Sequence, residues 1–393
     1  MGKGYVYDSE MSVFTDSISG VKITKLTNYL AHNFHTYFTN NGWYEQNSKL
    51  LLVSDRGNCS NLYSLELKTG KLTQLTNFTI NDDARIQGTY INPTKKEAYF
   101  TFNDKIIALN LDTLEEEEIF TLPNGYIYSS LSCTADGENL CFGLREDLSH
   151  RIHSNLSNGY VGFKEVEAAR PHTQICMLHL QTNTMNVIHE ENRWIGHINT
   201  SPTQPHLLSF CHEGPWSRVD HRMWVMDISK NQVWKLRDGY PNQFAGHEYW
   251  HDDGIHIGFH GFTESVARKD GKFLGSIKYD NTNLEEYDFP YQNMHIHSND
   301  SSMIVGDGQQ ASAYGNTNSD CIYLWKKVND DLEGPRILCK HRGSFHTQKV
   351  HVHPRFSPDG KKVLFTSDMD GYANVYLVDV PSFEKLPMMD EIE

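Results

Sequence analysis

One pattern recurs seven times along the chain, and it constrains the fold more than any other feature of the sequence. Its template begins at Phe356-Ser-Pro-Asp-Gly and continues through an apolar strand, a second turn and the alternating segment Ala373-Asn-Val-Tyr-Leu-Val-Asp-Val. Asp-Gly turns between such segments indicate antiparallel hairpins. A period of about 40–60 residues is typical of four-stranded propeller blades. The six earlier copies begin at Gln46, Asn92, Thr134, Ser201, His251 and Ser298.

The repeat predicts an all-β fold, a seven-bladed β-propeller that forms a single domain over residues 1–393. A short helical insertion is expected at about residues 145–172, in the third blade. The segment Lys22–Asn28 nearly repeats Lys71–Asn77, the predicted outer strand of the first blade, and the last blade stops after three strands near Val380. We therefore expect the N-terminal strand to join the C-terminal blade as its missing outer strand and to cover an exposed edge.

The composition argues against several classes of partner. A net charge of −15 does not suit a protein that binds nucleic acid. No run of residues approaches the roughly 18 apolar positions of a transmembrane helix, and the N-terminus has no apolar leader, so no membrane partner is expected. The seven Cys are scattered without CxxC spacing, which favours reduced, buried thiols and a cytoplasmic location. We expect a monomer or a weak oligomer.

The 21 His residues become informative when the blades are aligned. The first strand of each propeller blade lines the axial channel. Each blade has a turn residue that matches Asp359 of the last blade. Four consecutive blades carry a His six positions before that residue, or at the corresponding place in the sixth blade, where the turn is one residue shorter. His351 points the same way as His353 because strand side chains alternate, and Gln348 lies just upstream. The aligned positions are Asn41, Gly88, Ser130, His197, His247, His295 and His353.

Three His from two adjacent blades, His295, His351 and His353, form a plausible site for a divalent metal. The alternative is that channel His residues bind only water and backbone carbonyls. A His/Gln set without thiolates does not favour structural zinc, and manganese fits better, followed by calcium, zinc or nickel. His247, in the neighbouring blade, occupies a position suited to a general base.

The segment 211–222 connects two strands of the fourth blade and carries further candidates. Arg222 stands at the entrance of a strand and is therefore the better fixed of its two arginines, and Arg218 lies in the loop. Both are candidates for binding an anionic substrate, or they are solvated surface charges. His212 and Trp216, with His221, either stack on a sugar face or pack the loop.

Several of these segments resemble the oligogalacturonate lyase family, and the resemblance covers essentially the whole chain. The resemblance implies that His295, Gln348, His351 and His353 bind the metal. It also implies that His247 is the catalytic base and Arg222 the substrate-binding arginine, and it adds His35 and His197 as secondary candidates. The segments that carry it are Phe210-Cys-His-Glu-Gly-Pro, Arg222-Met-Trp, His247-Glu-Tyr-Trp, His295-Ile-His-Ser-Asn, Val305-Gly-Asp-Gly and Gln348-Lys-Val-His-Val-His-Pro.

The resemblance further implies a reaction: Mn²⁺-assisted β-elimination of digalacturonate, saturated or unsaturated, to 5-keto-4-deoxyuronate. The chain departs from the family pattern at His297, at His221 and in the loop 216–218. These departures affect the expected substrate preference but not the expected reaction. Two alternatives compete with this interpretation: a non-catalytic propeller that acts as an interaction scaffold, and a metal-dependent hydrolase or epimerase of sugar acids. A propeller-type peptidase is excluded because the sequence has no Gly-x-Ser-x-Gly motif.

Overall fold

The structure, a computed structural model, describes residues 2–80, 86–157, 159–240, 242–263, 271–288, 293–308 and 320–389. Within these ranges the chain forms 31 strands and a single α-helix. It divides into two compact units, one made of Met1–Ile86 with Tyr291–Glu393 and the other of Gln87–Pro290. They are called the first and the second unit below.

The N-terminal part of the first unit contains a sheet in the order β1-β8-β7-β6-β4, in which β5 also pairs with β6. The strands β2 and β3 of this part belong to another sheet, which is described below. Leu50, Leu51 and Leu52 of the central strand are buried, as expected for a strand that is covered on both faces. The strands are β1 (Val6–Tyr7), β2 (Ser12–Thr15), β3 (Lys22–Lys25), β4 (Asn33–His35), β5 (Trp43–Tyr44), β6 (Lys49–Ser54), β7 (Asn61–Glu66) and β8 (Leu72–Gln74).

The second unit contains four antiparallel sheets, each made of four strands that follow one another along the chain. The short helix α1 lies between the second and third strands of the second of these sheets. The elements are β9 (Gln87–Ile91), β10 (Glu97–Phe102), β11 (Lys105–Asn110), β12 (Glu116–Thr121), β13 (Tyr126–Cys133), β14 (Asn139–Glu146), α1 (Phe163–Ala168), β15 (His172–His179), β16 (Thr184–Asn192), β17 (Ile195–Thr200), β18 (Leu207–His212), β19 (Met223–Asp227), β20 (Gln232–Lys235), β21 (Gln243–Trp250), β22 (His256–Thr263), β23 (Lys272–Lys278) and β24 (Glu285–Asp288).

The C-terminal part of the first unit adds two more sheets. One has the order β25-β26-β27-β28 and the other the order β2-β3-β31-β30-β29. A 3₁₀ turn at Gln348–Val350 precedes the second of them, and another at Phe383–Lys385 follows it. The strands are β25 (Ile296–His297), β26 (Met303–Gly306), β27 (Cys321–Val328), β28 (Asp331–Lys340), β29 (Arg355–Phe356), β30 (Lys362–Ser367) and β31 (Asn374–Asp379).

These sheets confirm the predicted fold class, an all-β, seven-bladed β-propeller with the N-terminal strand in the C-terminal blade. In β3, Ile23 lies opposite Val378 and Thr24 opposite Leu377 of β31. The prediction that this strand is outermost was wrong, because β2 pairs along its far side. In the same way β1 lies outside β8 in the first sheet. Residues before Lys22 thus pair with two sheet edges that would otherwise be open.

The first strand of each sheet in the second unit has a β-bulge, which places two residues opposite one on the neighbouring strand. The bulged residues Gly88, Ser130, His197 and His247 have φ of 56°, 54°, 49° and 51°. Glycine adopts this left-handed conformation freely, whereas the other three pay about 1–2 kcal/mol each. Bulges redirect side chains. The four positions are those aligned from the sequence, so the alignment identified structurally equivalent residues.

Apolar side chains of neighbouring sheets form the core within each unit. In the first unit Leu50 and Tyr63 pack with Leu364 and Val375. In the second unit one cluster joins Met223 of β19 with residues of β22 and β23. No helix in the described part of the chain is both long and apolar enough to cross a membrane. The organisation of residues 1–393 as a single domain stays a prediction.

Candidate active site

Three histidines of the first unit form a compact buried cluster. His295, His351 and His353 each offer one ring nitrogen, and these atoms all lie within 4.8 Å of one another. His295 immediately precedes β25, and the other two follow the 3₁₀ turn that begins at Gln348. Val352, between them, is completely buried in the apolar core. This alternation fixes the side chains of His351 and His353 on the opposite side, as the H-x-H pattern predicted.

The charge state of the cluster suits a cation. Burial lowers the pKa of His351 to about 4 and, with the neighbouring histidines, lowers that of His353 well below its usual value. Both rings are therefore neutral near pH 7 and keep a lone pair. Nδ1 of His351 and Nε2 of His353 are buried and have no hydrogen-bond partner among the described residues. Buried polar atoms normally have partners, so these two nitrogens fit a divalent metal.

Asp307 orients the third histidine of the cluster. Its Oδ2 lies 2.7 Å from Nδ1 of His295, and its Oδ1 accepts hydrogen bonds from the backbone N–H groups of Met294 and His295. The carboxylate is completely buried. With its proton held on Nδ1, His295 presents Nε2 as the ligand atom, an arrangement common among metal-binding histidines. The sequence pattern does not indicate this role, although Asp307 lies in the segment Val305-Gly-Asp-Gly that resembles the family.

Aromatic side chains and a fourth histidine border the cluster. The ring centroid of Tyr37 is 4.9 Å from that of His353, and the ring centroid of Phe38 is 5.3 Å from that of His295. His35, at the end of β4, has Nε2 3.5 Å from the carbonyl oxygen of Val352. Burial lowers the pKa of His35 to about 4. The assignment of Gln348 as a ligand stays a prediction.

A second set of polar residues lies in the second unit, next to the bulges of β17 and β21. Nε2 of His197 is 3.4 Å from Oε2 of Glu213 and Nδ1 is 4.0 Å from Oε1 of Glu248. The ring of His247 stacks on that of His197 with centroids 6.3 Å apart. Nδ1 of His247 is 2.8 Å from Nε2 of His260. The two predicted channel histidines of this unit therefore do lie together.

Arg222 is buried at the start of β19 and forms the cationic centre of this set. Its guanidinium donates to both carboxylate oxygens of Glu213, at 3.0 and 3.4 Å, and lies 5.3 Å from the ring centroid of Trp216. It packs directly against β21, because a Cβ at Gly246 would lie 2.5 Å from Nε of Arg222. A glycine beside His247 is thus needed for the arginine to reach this place.

The carboxylates around Arg222 differ in charge. Burial alone would raise the pKa of Glu213, but Arg222 and His197 hold it at about 2, so this carboxylate is ionised. Burial raises the pKa of Glu248 above its usual value despite the same two neighbours. Glu248 is completely buried, and neither carboxylate oxygen has a hydrogen-bond partner among the described residues. Neither acid was predicted from the sequence, although Glu213 follows His212 and Glu248 follows His247.

His197, Cys211 and Glu213 also place one ligand atom each within 4.8 Å of one another. Two observations argue against a metal there. The guanidinium of Arg222 already pairs with Glu213, and burial raises the pKa of Cys211 well above its usual value, so the thiol stays protonated. This set is better suited to an anion or to proton transfer than to a cation.

The remaining predicted residues have other contacts. Arg218 pairs with Glu167 of α1 at 3.2 Å. His212 is buried with Nδ1 3.0 Å from Asp220, and its ring lies 4.7 Å from that of Trp224. Substrate-binding roles for Arg218 and His212 stay predictions, and their contacts favour packing of the loop. His221 contacts the carbonyl oxygen of Leu236, and His297 packs beside Phe356.

Comparison with known proteins identifies the family. The model of the oligogalacturonate lyase family matches residues 1–383. This chain belongs to that family. Its members are lyases, and the chain is accordingly an oligosaccharide lyase that acts on oligogalacturonates.

Individual relatives of the family match over nearly their full length. The oligogalacturonate lyase of Dickeya dadantii (strain 3937) is 27% identical over 402 residues, which cover 97% of this chain and 99% of the relative. A solved structure of an oligogalacturonate lyase in complex with manganese has a TM-score of 0.86 at 25% identity, covering 97% of this chain and 99% of that one. An oligogalacturonate lyase structure from Vibrio parahaemolyticus has a TM-score of 0.85 at 26% identity, with the same coverage.

Proposed function

We propose that the chain cleaves digalacturonate, saturated or unsaturated, by metal-assisted β-elimination and releases 5-keto-4-deoxyuronate. The observation that carries the proposal is the buried cluster of His295, His351 and His353, in which neutral imidazoles converge and Asp307 orients one of them. A scaffold propeller has no need of such a set, because buried ring nitrogens without partners destabilise a fold unless a ligand uses them.

Manganese is the metal of this proposal. The three histidines would hold it, with Gln348 as a fourth ligand. The choice of manganese is supported by the related lyase structure, which was solved in complex with manganese, and by the amide oxygen of Gln348, a donor that suits Mn²⁺. When bound, such a cation supplies a Lewis acid that neutralises the uronate carboxylate and stabilises the charge that develops as the carbon 5 proton leaves.

The protein's own groups perform the remaining steps. His247 takes the proton from carbon 5, the bond between carbon 4 and the bridging oxygen breaks, and the leaving oxygen takes up a proton, so no water is consumed. Arg222 binds carboxylate or hydroxyl oxygens of the sugar, and its pairing with Glu213 holds the guanidinium plane in one orientation. His197 and His35 are assigned to substrate contacts.

A cytoplasmic location is part of the proposal. All seven cysteines are buried, and none forms a disulfide. Free thiols in this number are typical of proteins that stay in a reducing compartment. Short galacturonate oligomers would then be cleaved after uptake into the cell.

Product mass tests the proposal directly. The manganese-loaded protein is incubated with digalacturonate, and the products are weighed by mass spectrometry. Elimination conserves the summed mass of the substrate, whereas hydrolysis adds one water for each bond cleaved. An epimerase would return an isomer of the uncleaved dimer, and a scaffold would bind the sugar or leave it unchanged. Any of these three outcomes would overturn the proposal.

A further inference from the structure

We propose that His260 is a positioning residue for the base: it accepts the Nδ1 proton of His247 and thereby fixes the tautomer whose Nε2 atom takes the substrate proton. This inference rests on the proposed function, because it assigns a partner to the residue that acts as base. It concerns a histidine that neither the repeat nor the family resemblance singled out.

The contact between the two rings is direct. Nδ1 of His247 and Nε2 of His260 are 2.8 Å apart, within the normal range of a hydrogen bond between nitrogens. The ring centroids are 5.0 Å apart and the planes are inclined by 31°. Two nitrogens at this distance share one proton, so one ring donates and the other accepts.

The chemistry decides which ring donates. If His260 donated from Nε2, a neutral His247 would spend its lone pair at Nδ1 on that bond and carry its own proton on Nε2. It would then have no basic nitrogen with which to attack carbon 5. If His247 donates from Nδ1, its Nε2 lone pair is available for the proton. Only the second arrangement lets His247 serve as the base.

The fold holds both rings in place. Gly246 lies opposite His260 in the ladder of β21 and β22, and the bulge then places His247 out of register with that strand. Its left-handed backbone, with φ of 51°, directs the side chain back toward His260. The left-handed backbone conformation of His247 is therefore the one from which its ring reaches His260 on the next strand.

An aromatic wall completes the arrangement. The ring of Trp216 has its centroid 5.3 Å from that of His247 and 5.8 Å from that of His260. It also stacks on Phe262 at 5.9 Å with planes inclined by 9°. His260 is 9% exposed. The His260 side of the shared proton is thus shielded from water, and the hydrogen bond becomes charge-assisted and stronger once His247 is an imidazolium.

Two substitutions separate the hydrogen bond from the shape of the side chain. His260→Gln keeps an acceptor near the place of Nε2, whereas His260→Phe keeps a ring among Trp216 and Phe262 but accepts nothing. We expect the Phe variant to lose roughly 10–100-fold in kcat, the scale on which orienting partners of functional histidines act, with KM and bound manganese little changed. The Gln variant should recover most of the loss. His256→Phe, at the start of the same strand, is the matched control.

Heteronuclear NMR of the ring nitrogens tests the tautomer independently of activity. In protein with isotope-labelled histidine, His247 is assigned by its absence from the His247→Ala spectrum. We expect the proton of His247 on Nδ1 in the wild type and in the Gln variant, and a shift toward the Nε2 tautomer in the Phe variant. A wild-type His247 protonated on Nε2 would overturn the inference, as would a Phe variant with unchanged kcat.

The same experiments separate this inference from the proposed function. A wild-type His247 with its proton on Nδ1, in a protein that never cleaves digalacturonate, would support the role of His260 as its partner and refute the lyase reaction. Conversely, efficient elimination by a protein in which His260→Gln and His260→Phe behave alike would support the reaction and refute the positioning role. If the Phe variant fails to fold, the wild-type tautomer still decides.

Discussion

The two sets of polar residues differ in charge, and the difference separates two kinds of chemistry. In the first unit the cluster of His295, His351 and His353 contains neutral imidazoles with lowered pKa values at two positions and a single carboxylate behind them. In the second unit the set around Arg222 contains a fixed pair of opposite charges, with Glu213 ionised against the guanidinium. Lone pairs without protons bind cations, whereas a fixed guanidinium binds anions.

Both sets nevertheless rely on the same backbone device. His353 in the first unit has φ of 44°, and His197 and His247 in the second have φ of 49° and 51°. Non-glycine residues adopt this conformation at a cost of about 1–2 kcal/mol, and such strain tends to concentrate at functional positions. The fold supplies the same turn of the backbone in both units, and the surrounding side chains determine its use.

The largest expected effect is on the metal set. His353→Ala removes one of three converging imidazoles, and we expect loss of bound manganese and of all measurable turnover, since the Lewis acid is worth several kcal/mol in the transition state. Elemental analysis and a turnover assay measure both, and circular dichroism checks that the fold persists. His346→Ala, an exposed histidine of the same loop, is the control. Full manganese content in the His353 variant would show that His353 is not a metal ligand. The difference in charge between the two sets would then not mark the metal site.

The second effect belongs to the base. His247→Ala should keep its manganese yet lose about 10²–10⁴-fold in kcat, the usual contribution of a general base. Turnover and elemental analysis are measured on the same preparation, with the exposed His150→Ala as control. If this variant loses its metal instead, His247 is a ligand and the separation of roles proposed for the two units is wrong.

The third effect is on stability. Arg222→Ala leaves the ionised Glu213, whose side chain is only 15% exposed, without its partner, which costs up to about 3–5 kcal/mol. Urea unfolding measures the loss, and Arg222→Ala combined with Glu213→Gln should restore a large part of it because the uncompensated charge is removed. A stable single variant would show that the guanidinium is not the electrostatic centre of its set.

A smaller effect is expected behind the metal. In Asp307→Asn the amide NH₂ group faces Nδ1 of His295 and cannot accept its proton. The tautomer of His295 that leaves Nε2 free to bind the metal is then disfavoured. We expect manganese affinity to fall about 10–100-fold, as for other orienting partners of metal ligands. Titration with manganese measures the change, and Asp300→Asn at an exposed turn is the control. An unchanged affinity would leave Asp307 with a purely structural role.

The smallest effect depends on pH. Because the pKa of Glu248 is raised in the folded protein, folding holds its proton more tightly than the unfolded chain does. The stability it contributes is therefore present at low pH and lost as the pH rises from the usual carboxyl pKa through the raised value. Glu248→Gln should increase Tm at about pH 8 and lose this advantage at about pH 4. Glu138→Gln, at an exposed turn, should show no such crossover.

Local pattern was enough to predict the blades and the aligned positions. The Asp-Gly turns and alternating strands repeat, so counting back from each turn reached Gly88, Ser130, His197 and His247, which share one bulge. A period of two residues along a strand likewise put His351 and His353 on one side. These inferences needed only distances along the chain.

The residues that were missed depend on pairing between strands. His260 reaches His247 only because Gly246 lies opposite it in the ladder, and Asp307 reaches His295 across a hairpin 12 residues long in sequence. Nothing in the local pattern distinguishes such residues from other buried polar side chains. The same holds for β1 and β2, two short strands whose partners are far along the chain.

The pairing of β3 with β31 has a consequence for the order of folding. Thr27 accepts a hydrogen bond from the backbone of Val375, 348 positions later in the chain. On the ribosome β3 therefore emerges long before β31. β2 can pair with β3 at once, but the edge of β3 that faces β31 remains unpaired through almost the entire synthesis. Closing so long a loop is slow. Completion of this sheet is thus expected to be a late step, and one during which chaperones that recognise open strand edges have time to act.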